Sequence, residues 1–264
     1  AGALGYELDD SGTVYTFKLR PDAKWSNGEP VTAADYVYGW QRAADPKNAS
    51  NYAWFIELTG VTNASDVVQG KKSPDALGIK ALDAHTLQIT LKNPVPFFLK
   101  TLSHYTTFPA PRATIEKFGH EWVKPGNIVS NGAFVLKEWT PNERLIAERN
   151  PYYWDNQHTV LNKVLYLEIV SDTAAYNRYR AGELHYTSYP LEQYKQLKQQ
   201  SPQELVSVPT LATYYYVFNT QRKPFDNPKV RKALSLAIDR DTITEKILGQ
   251  GQLPAFRLTP PIVD

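Results

Sequence analysis

The stretch Tyr15 to Arg42, YTFKLRPDAKWSNGEPVTAADYVYGWQR, constrains the fold most, because it writes a strand, a turn and a capped helix in direct succession. Tyr15, Phe17 and Leu19 alternate with polar residues, the period of a strand with one buried face. Ser26-Asn27-Gly28 is turn chemistry. Thr32 followed three residues later by Asp35 has the spacing of a capping box, and Val37 and Trp40 supply the apolar stripe of the helix that it opens.

The rest of the chain continues the same mixture. Leu87, Ile89 and Leu91 predict a second alternating strand, ended by Asn93-Pro94-Val95-Pro96, and Pro109 and Pro111 mark a boundary. A helix over Ala113 to Phe118 stops at Gly119. Phe134 to Trp139 and Arg144 to Glu148 read as a hairpin turning at Pro141-Asn142. Val164 to Val170 suits a buried strand, and Ser171 or Asp172 caps a helix from Thr173 to Ala181 that Gly182 closes. Strand followed by helix is the repeating unit of an α/β lobe. Thr213 to Asn219 has high strand propensity, with Tyr214 and Tyr216 on one face and Tyr215 on the other. Beyond it Asp226 or Asn227 caps and Pro228 opens a helix. Val230, Ala233, Leu234 and Ala237 fall on one side of that helix, a face expected on a core, with Lys229, Arg231 and Lys232 towards water.

Most kinds of chemistry find no constellation here. The chain has no cysteine, so disulfides, thiolate metal sites and thiol nucleophiles are excluded. His85, His104, His120, His158 and His185 show no common metal spacing, and His85 beside Asp83 reads as a turn residue. No GxSxG elbow is present, and Gly249-Gln250-Gly251 follows a helix rather than the strand a dinucleotide loop requires. Of the paired carboxylates, Asp9-Asp10 lies in a turn, and Asp239 with Asp241 ends one helix and caps the next. With 29 basic and 27 acidic residues the formal charge is +2, too balanced to indicate a nucleic acid. No run approaches the ~18 apolar residues needed to span a bilayer. Seventeen Tyr and six Trp remain as the compositional signal, either core residues or flat recognition surfaces.

Three blocks together carry a resemblance. Tyr15 to Arg42, the segment Asn127 to Trp154 with its SNGAF (Ser130 to Phe134) and ERNPYYW (Glu148 to Trp154), and Asn219 to Asp241 resemble, in order, the bacterial extracellular solute-binding proteins of family 5. Within that family the likeness is to oligopeptide and murein-tripeptide receptors, and it runs over essentially the whole chain. It implies an α/β, type II periplasmic-binding-protein-like fold, with two lobes around a ligand cleft plus an extra α/β domain. Residues 1–111 would be most of the extra domain, 112–211 the middle part of the first ligand-gripping lobe, and 212–264 a crossover strand and the start of the second lobe. Receptors of this kind are longer, so the chain is expected to be a piece, incomplete at both ends.

The function implied is that of the periplasmic, non-enzymatic binding component of a peptide ABC importer in a Gram-negative cell, made as a precursor with a signal peptide. Its partners would be short peptides and membrane-embedded importer subunits, with no nucleic acid and no cofactor, and it would act as a monomer. A receptor for a narrower ligand, such as murein tripeptide, a dipeptide or another small solute, and a hydrolase on a similar scaffold are the alternatives. Carried over by position, the resemblance points to Tyr52 and His104 from the extra domain, to the loop Tyr186-Thr187-Ser188, and to Tyr215 on the crossover strand as ligand-binding residues. Ordinary packing is the competing role for each. Ala212 stands where oligopeptide receptors carry a cysteine, and Thr187 and Ser188 replace amide side chains common in that loop.

Overall fold

The computed structural model describes residues 2–206, 208 and 210–260. They form two compact units, residues 1–168 and 169–264.

The first unit is built on an antiparallel four-stranded sheet of order β1-β2-β4-β3, from β1 (Ala3–Leu8), β2 (Val14–Leu19), β3 (Ile79–Ala81) and β4 (Thr86–Thr90). Asp9 sets the turn between β1 and β2: its carboxylate accepts the N–H groups of Thr13 and Val14 at 3.0 and 2.9 Å and the Ser11 hydroxyl at 2.6 Å. Those bonds, Ser11's first, hold the carboxyl below the usual Asp range. Tyr15 pairs with Ile89 and Phe17 with Leu87, so the alternating residues of both strands share one buried face. A slip of one residue would turn the whole set outward.

Helix α1 (Ala33–Ala44) covers that face. Its start is the expected capping box, with the Thr32 N–H donating to the Asp35 carboxylate at 2.8 Å. Trp40 is the largest fully buried side chain, and its Nε1–H donates to the Thr107 carbonyl at 2.9 Å. Gly39 lets α1 approach that loop, since a Cβ there would lie 2.6 Å from the Phe108 carbonyl oxygen. Burial next to Asp35 pushes the neighbouring Tyr36 phenol up to about 12, burial being the larger cause. Short helices α2 (Ala53–Leu58), α3 (Ala64–Val68) and α4 (Phe98–Thr101) close the core, and Phe98 meets Tyr15 with ring centroids 4.7 Å apart. Helix α5 (Arg112–Phe118) ends where Gly119 takes a φ of 55°.

A second antiparallel sheet, β5 (Phe134–Thr140), β6 (Arg144–Arg149) and β7 (Lys163–Leu167), has the order β5-β6-β7. The predicted hairpin forms, with Asn142 in the left-handed region at φ 62°. Two of the sequence blocks meet at its base. The Ser26 N–H donates to the Ser130 carbonyl at 2.8 Å, and the Ser130 N–H returns a bond to Ser26 Oγ at 3.1 Å. Asn150 is fully buried between them, its Nδ2 donating to the carbonyls of Gly132 (2.9 Å) and Ser130 (3.4 Å) while its Oδ1 accepts the Tyr152 N–H (3.0 Å). The Arg20 guanidinium lies 3.7 Å over the Trp154 ring, tying the end of β2 to the same corner. One expectation is corrected: Val164 to Val170 is not a buried strand. The ladder ends at Leu167, Leu165 and Tyr166 are exposed, and Val170 is 97 % exposed. The reason is position, because among the described residues β7 is an edge strand paired only with β6.

The second unit carries helices α6 (Asp172–Arg180), α7 (Tyr194–Gln200) and α8 (Pro228–Leu236), followed by a π-helical segment, Thr242–Leu248. Ser171 caps α6 by accepting the Ala174 N–H at 3.3 Å, and Asn227 caps α8 by accepting the Lys229 N–H at 2.9 Å. The Asp239 carboxylate accepts both the N–H and the hydroxyl of Thr242, at 3.0 and 2.7 Å, which lowers its pKa and commits it to the backbone. Contrary to the sequence pattern, α8 has no buried residue, and Ala233, Leu234 and Ala237 are exposed. The amphipathic face exists, but none of the described residues covers it. Among the described residues no helix is long and apolar enough to cross a membrane.

Candidate functional site

Within the first unit, the structure brings Tyr52 and His104 together. Tyr52 is the N-cap residue of α2, and its N–H donates to Ser50 Oγ at 3.2 Å. His104 opens the single-turn helix Tyr105–Thr107, where its Nδ1 accepts the Thr106 N–H at 3.3 Å and lies 2.7 Å from the Thr106 hydroxyl. A backbone N–H can only donate, so Nδ1 is the acceptor and Nε2 carries the proton. The Tyr52 and His104 rings are 5.4 Å apart.

Three residues that sequence reasoning did not select complete this wall. Phe55 and Tyr105 both stack on His104, at 3.9 and 4.2 Å, and Trp54 lies 6.1 Å from Tyr52. Their signal was visible in the strings YAWF and HY around the two chosen residues. Tyr52, Trp54 and Tyr105 are 41, 55 and 58 % exposed, so the cluster presents aromatic surface outward. Hydrogen bonding with Tyr52, then burial, pushes the Tyr105 phenol above the ordinary tyrosine range. Behind the wall, the bond from Trp40 to the Thr107 carbonyl and those from the Thr107 hydroxyl to the carbonyls of Leu102 (3.1 Å) and His104 (2.8 Å) fix the turn. Rings held this way offer contact area at little entropic cost on binding.

In the second unit, Tyr186 is 87 % exposed and Thr187 half-buried. Ser188 Oγ donates to Asp172 Oδ1 at 2.6 Å, which fastens this loop to the start of α6 and leaves the hydroxyl oxygen as an acceptor. A cavity of about 540 Å³ adjoins the loop, with Tyr179, His185 and Glu204 in its lining. Tyr179 donates to Glu204 at 2.9 Å, a bond that raises the phenol's pKa. Tyr215 is 61 % exposed. The predicted strand Thr213 to Asn219 forms no ladder, because none of the described residues pairs with it. Its side-chain alternation is nonetheless present: the Tyr214 and Tyr216 rings meet edge-on at 5.9 Å, as residues two apart on an extended chain do.

A single family accounts for the whole length. The model of bacterial extracellular solute-binding proteins, family 5 Middle, matches residues 2–264, and the chain belongs to that family. It is 51 % identical over 253 residues to the periplasmic oligopeptide-binding protein of Salmonella typhimurium, a match covering 95 % of this chain and 47 % of that protein. Among solved structures, the murein tripeptide binding protein of Escherichia coli matches with a TM-score of 0.94 at 46 % identity, over 99 % of this chain and 51 % of that one. The oligopeptide-binding protein of Haemophilus influenzae, in complex with the peptide RPPGFSPFR, matches with a TM-score of 0.92 at 43 % identity, over 98 % of this chain and 51 % of that one. The fold is thus of the type II periplasmic-binding-protein-like class, with mixed α/β content. The chain spans about half the length of the relatives it matches.

Proposed function

We propose that these residues are part of a periplasmic receptor that captures short peptides and delivers them to the membrane-embedded subunits of an ABC importer. The observation that carries this reading is the 51 % identity to an oligopeptide-binding protein over 95 % of the chain. The fixed aromatic wall around Tyr52 and His104 suits it, as does the acceptor oxygen of Ser188. In this reading residues 1–111 are most of an extra domain, 112–211 the middle of the first lobe, and 212–264 the start of the second. An extended peptide pairs through its main chain with loop and strand groups, and hydrated pockets take its side chains, which gives affinity with little dependence on sequence. Binding stabilises a closed arrangement by the difference in affinity between closed and open states. The receptor works as a monomer, without cofactor or catalysis.

Native mass spectrometry of the freshly purified complete receptor tests the ligand class. Peptides of mixed sequence, recovered intact, are the expected result. A single co-purified tripeptide would instead favour the narrower receptor suggested by the 0.94 TM-score to the murein tripeptide binding protein. Peptide turnover would replace the receptor with a hydrolase.

Tyr215 is assigned to the ligand and its neighbours to packing. Tyr215→Phe in the complete receptor should cost about 0.5–1.5 kcal/mol of peptide affinity, one hydrogen bond, with little change in stability. Tyr214→Phe and Tyr216→Phe, on the other side of the extended segment, should shift the thermal midpoint and spare affinity. Affinity lost in either neighbour and kept in Tyr215→Phe would reverse the assignment of the two faces.

A further inference from the structure

Tyr52 and Tyr105 of the aromatic wall also line a cavity of about 300 Å³, bounded by the last turn of α1, the segment after it and the turn that follows His104. At the small end of ligand pockets, it has room for a side chain or a chain terminus rather than a whole peptide. Phe108 and Trp122 give it apolar walls, while Asn48, Ser50 and Tyr105 supply neutral polar groups. Its one charged lining residue is Arg42, half-buried.

Among the described residues no carboxylate lies within ion-pairing distance of the Arg42 guanidinium and no hydrogen bond engages it, whereas Arg112, Arg144 and Arg178 each hold a glutamate at 2.7 Å or less. Its place in the last turn of α1 complements the helix dipole, which accounts for a positive charge but leaves five N–H donors without acceptors. A half-buried planar donor fork facing a cavity matches a carboxylate in shape and charge. The same charge repels a lysine or arginine side chain, so the site discriminates by repulsion as well as attraction.

We infer that this cavity is a carboxylate subsite and that Arg42 is its specificity-determining residue. The inference rests on the peptide-receptor reading. The carboxylate would come from an acidic side chain or from the C-terminus of the peptide, and the same fork fits both.

Calorimetry on the complete receptor, wild type, R42Q and R42K, with Ala-Glu-Ala, Ala-Gln-Ala and the C-terminal amide of Ala-Gln-Ala separates the cases. A side-chain site predicts about tenfold preference of the wild type for Ala-Glu-Ala over Ala-Gln-Ala, falling to within about twofold in R42Q. A C-terminal site predicts the same collapse for Ala-Gln-Ala over its amide. R42K, which keeps the charge but not the fork, should retain part of whichever preference exists. Preferences unchanged by R42Q, absent in the wild type, or accompanied by an equal loss for all three ligands would overturn the inference and leave the receptor reading standing. Failure of the wild type to bind any of the three would remove both.

Discussion

Trp40→Ala should destabilise the protein by about 3–5 kcal/mol, the range for deleting a buried aromatic side chain. Trp40 is 1 % exposed at the centre of the core formed by α1 and the four-stranded sheet. Its loss also orphans the Thr107 carbonyl, because the Nε1–H of Trp40 is that oxygen's partner at 2.9 Å. Trp40→Phe isolates the second effect. It keeps much of the ring area and should cost about 1–3 kcal/mol through the unsatisfied carbonyl. Urea denaturation of wild type and both variants, read separately by tryptophan fluorescence and circular dichroism, gives the values. A cost below about 1 kcal/mol for Trp40→Ala would mean that the sheet does not depend on this helix for its cover.

Asn150→Ala should cost about 2–4 kcal/mol, although it removes little volume. The residue is wholly buried, and its amide joins its own turn, through the N–H of Tyr152, to one segment about twenty residues earlier, through the carbonyls of Ser130 and Gly132. Asn150→Asp is the informative control. It retains an acceptor for the Tyr152 N–H but sets a carboxylate oxygen against the Gly132 carbonyl, so it should be no more stable than the alanine variant at neutral pH. A near-native aspartate variant would show that the bonds from Nδ2 to the Ser130 and Gly132 carbonyls contribute little to stability.

These two residues also mark what the sequence made legible. The strand of Tyr15, Phe17 and Leu19, the capping box at Thr32 and the hairpin at Asn142 are local patterns, and each formed where its spacing placed it. Trp40 belonged to a readable stripe. The role of Asn150 was not readable, because a polar side chain bonding to backbone atoms some twenty residues away leaves no periodic trace. The same limit explains why two apolar runs lie exposed. Val164 to Val170 and the Val230 face of α8 record which residues could be buried, whereas burial also needs a covering element that no local pattern specifies. At the candidate site, Tyr52 and His104 followed from resemblance, and their proximity could not be read from a separation of 52 positions. No sequence pattern singled out Arg42. Only the missing acceptor and the cavity in front of it distinguish it from its neighbours.

The segment Tyr214 to Val217 has a practical consequence. All four of its side chains are more than 60 % exposed, it is rich in β-branched and aromatic character, and it carries no net charge. Such a segment, exposed and with no strand alongside among the described residues, is a template on which an identical segment of another molecule can zip. With Tyr214 to Val217 exposed, self-association competes with native function, and low protein concentration protects the sample better than added sulfate or phosphate, which strengthen apolar association.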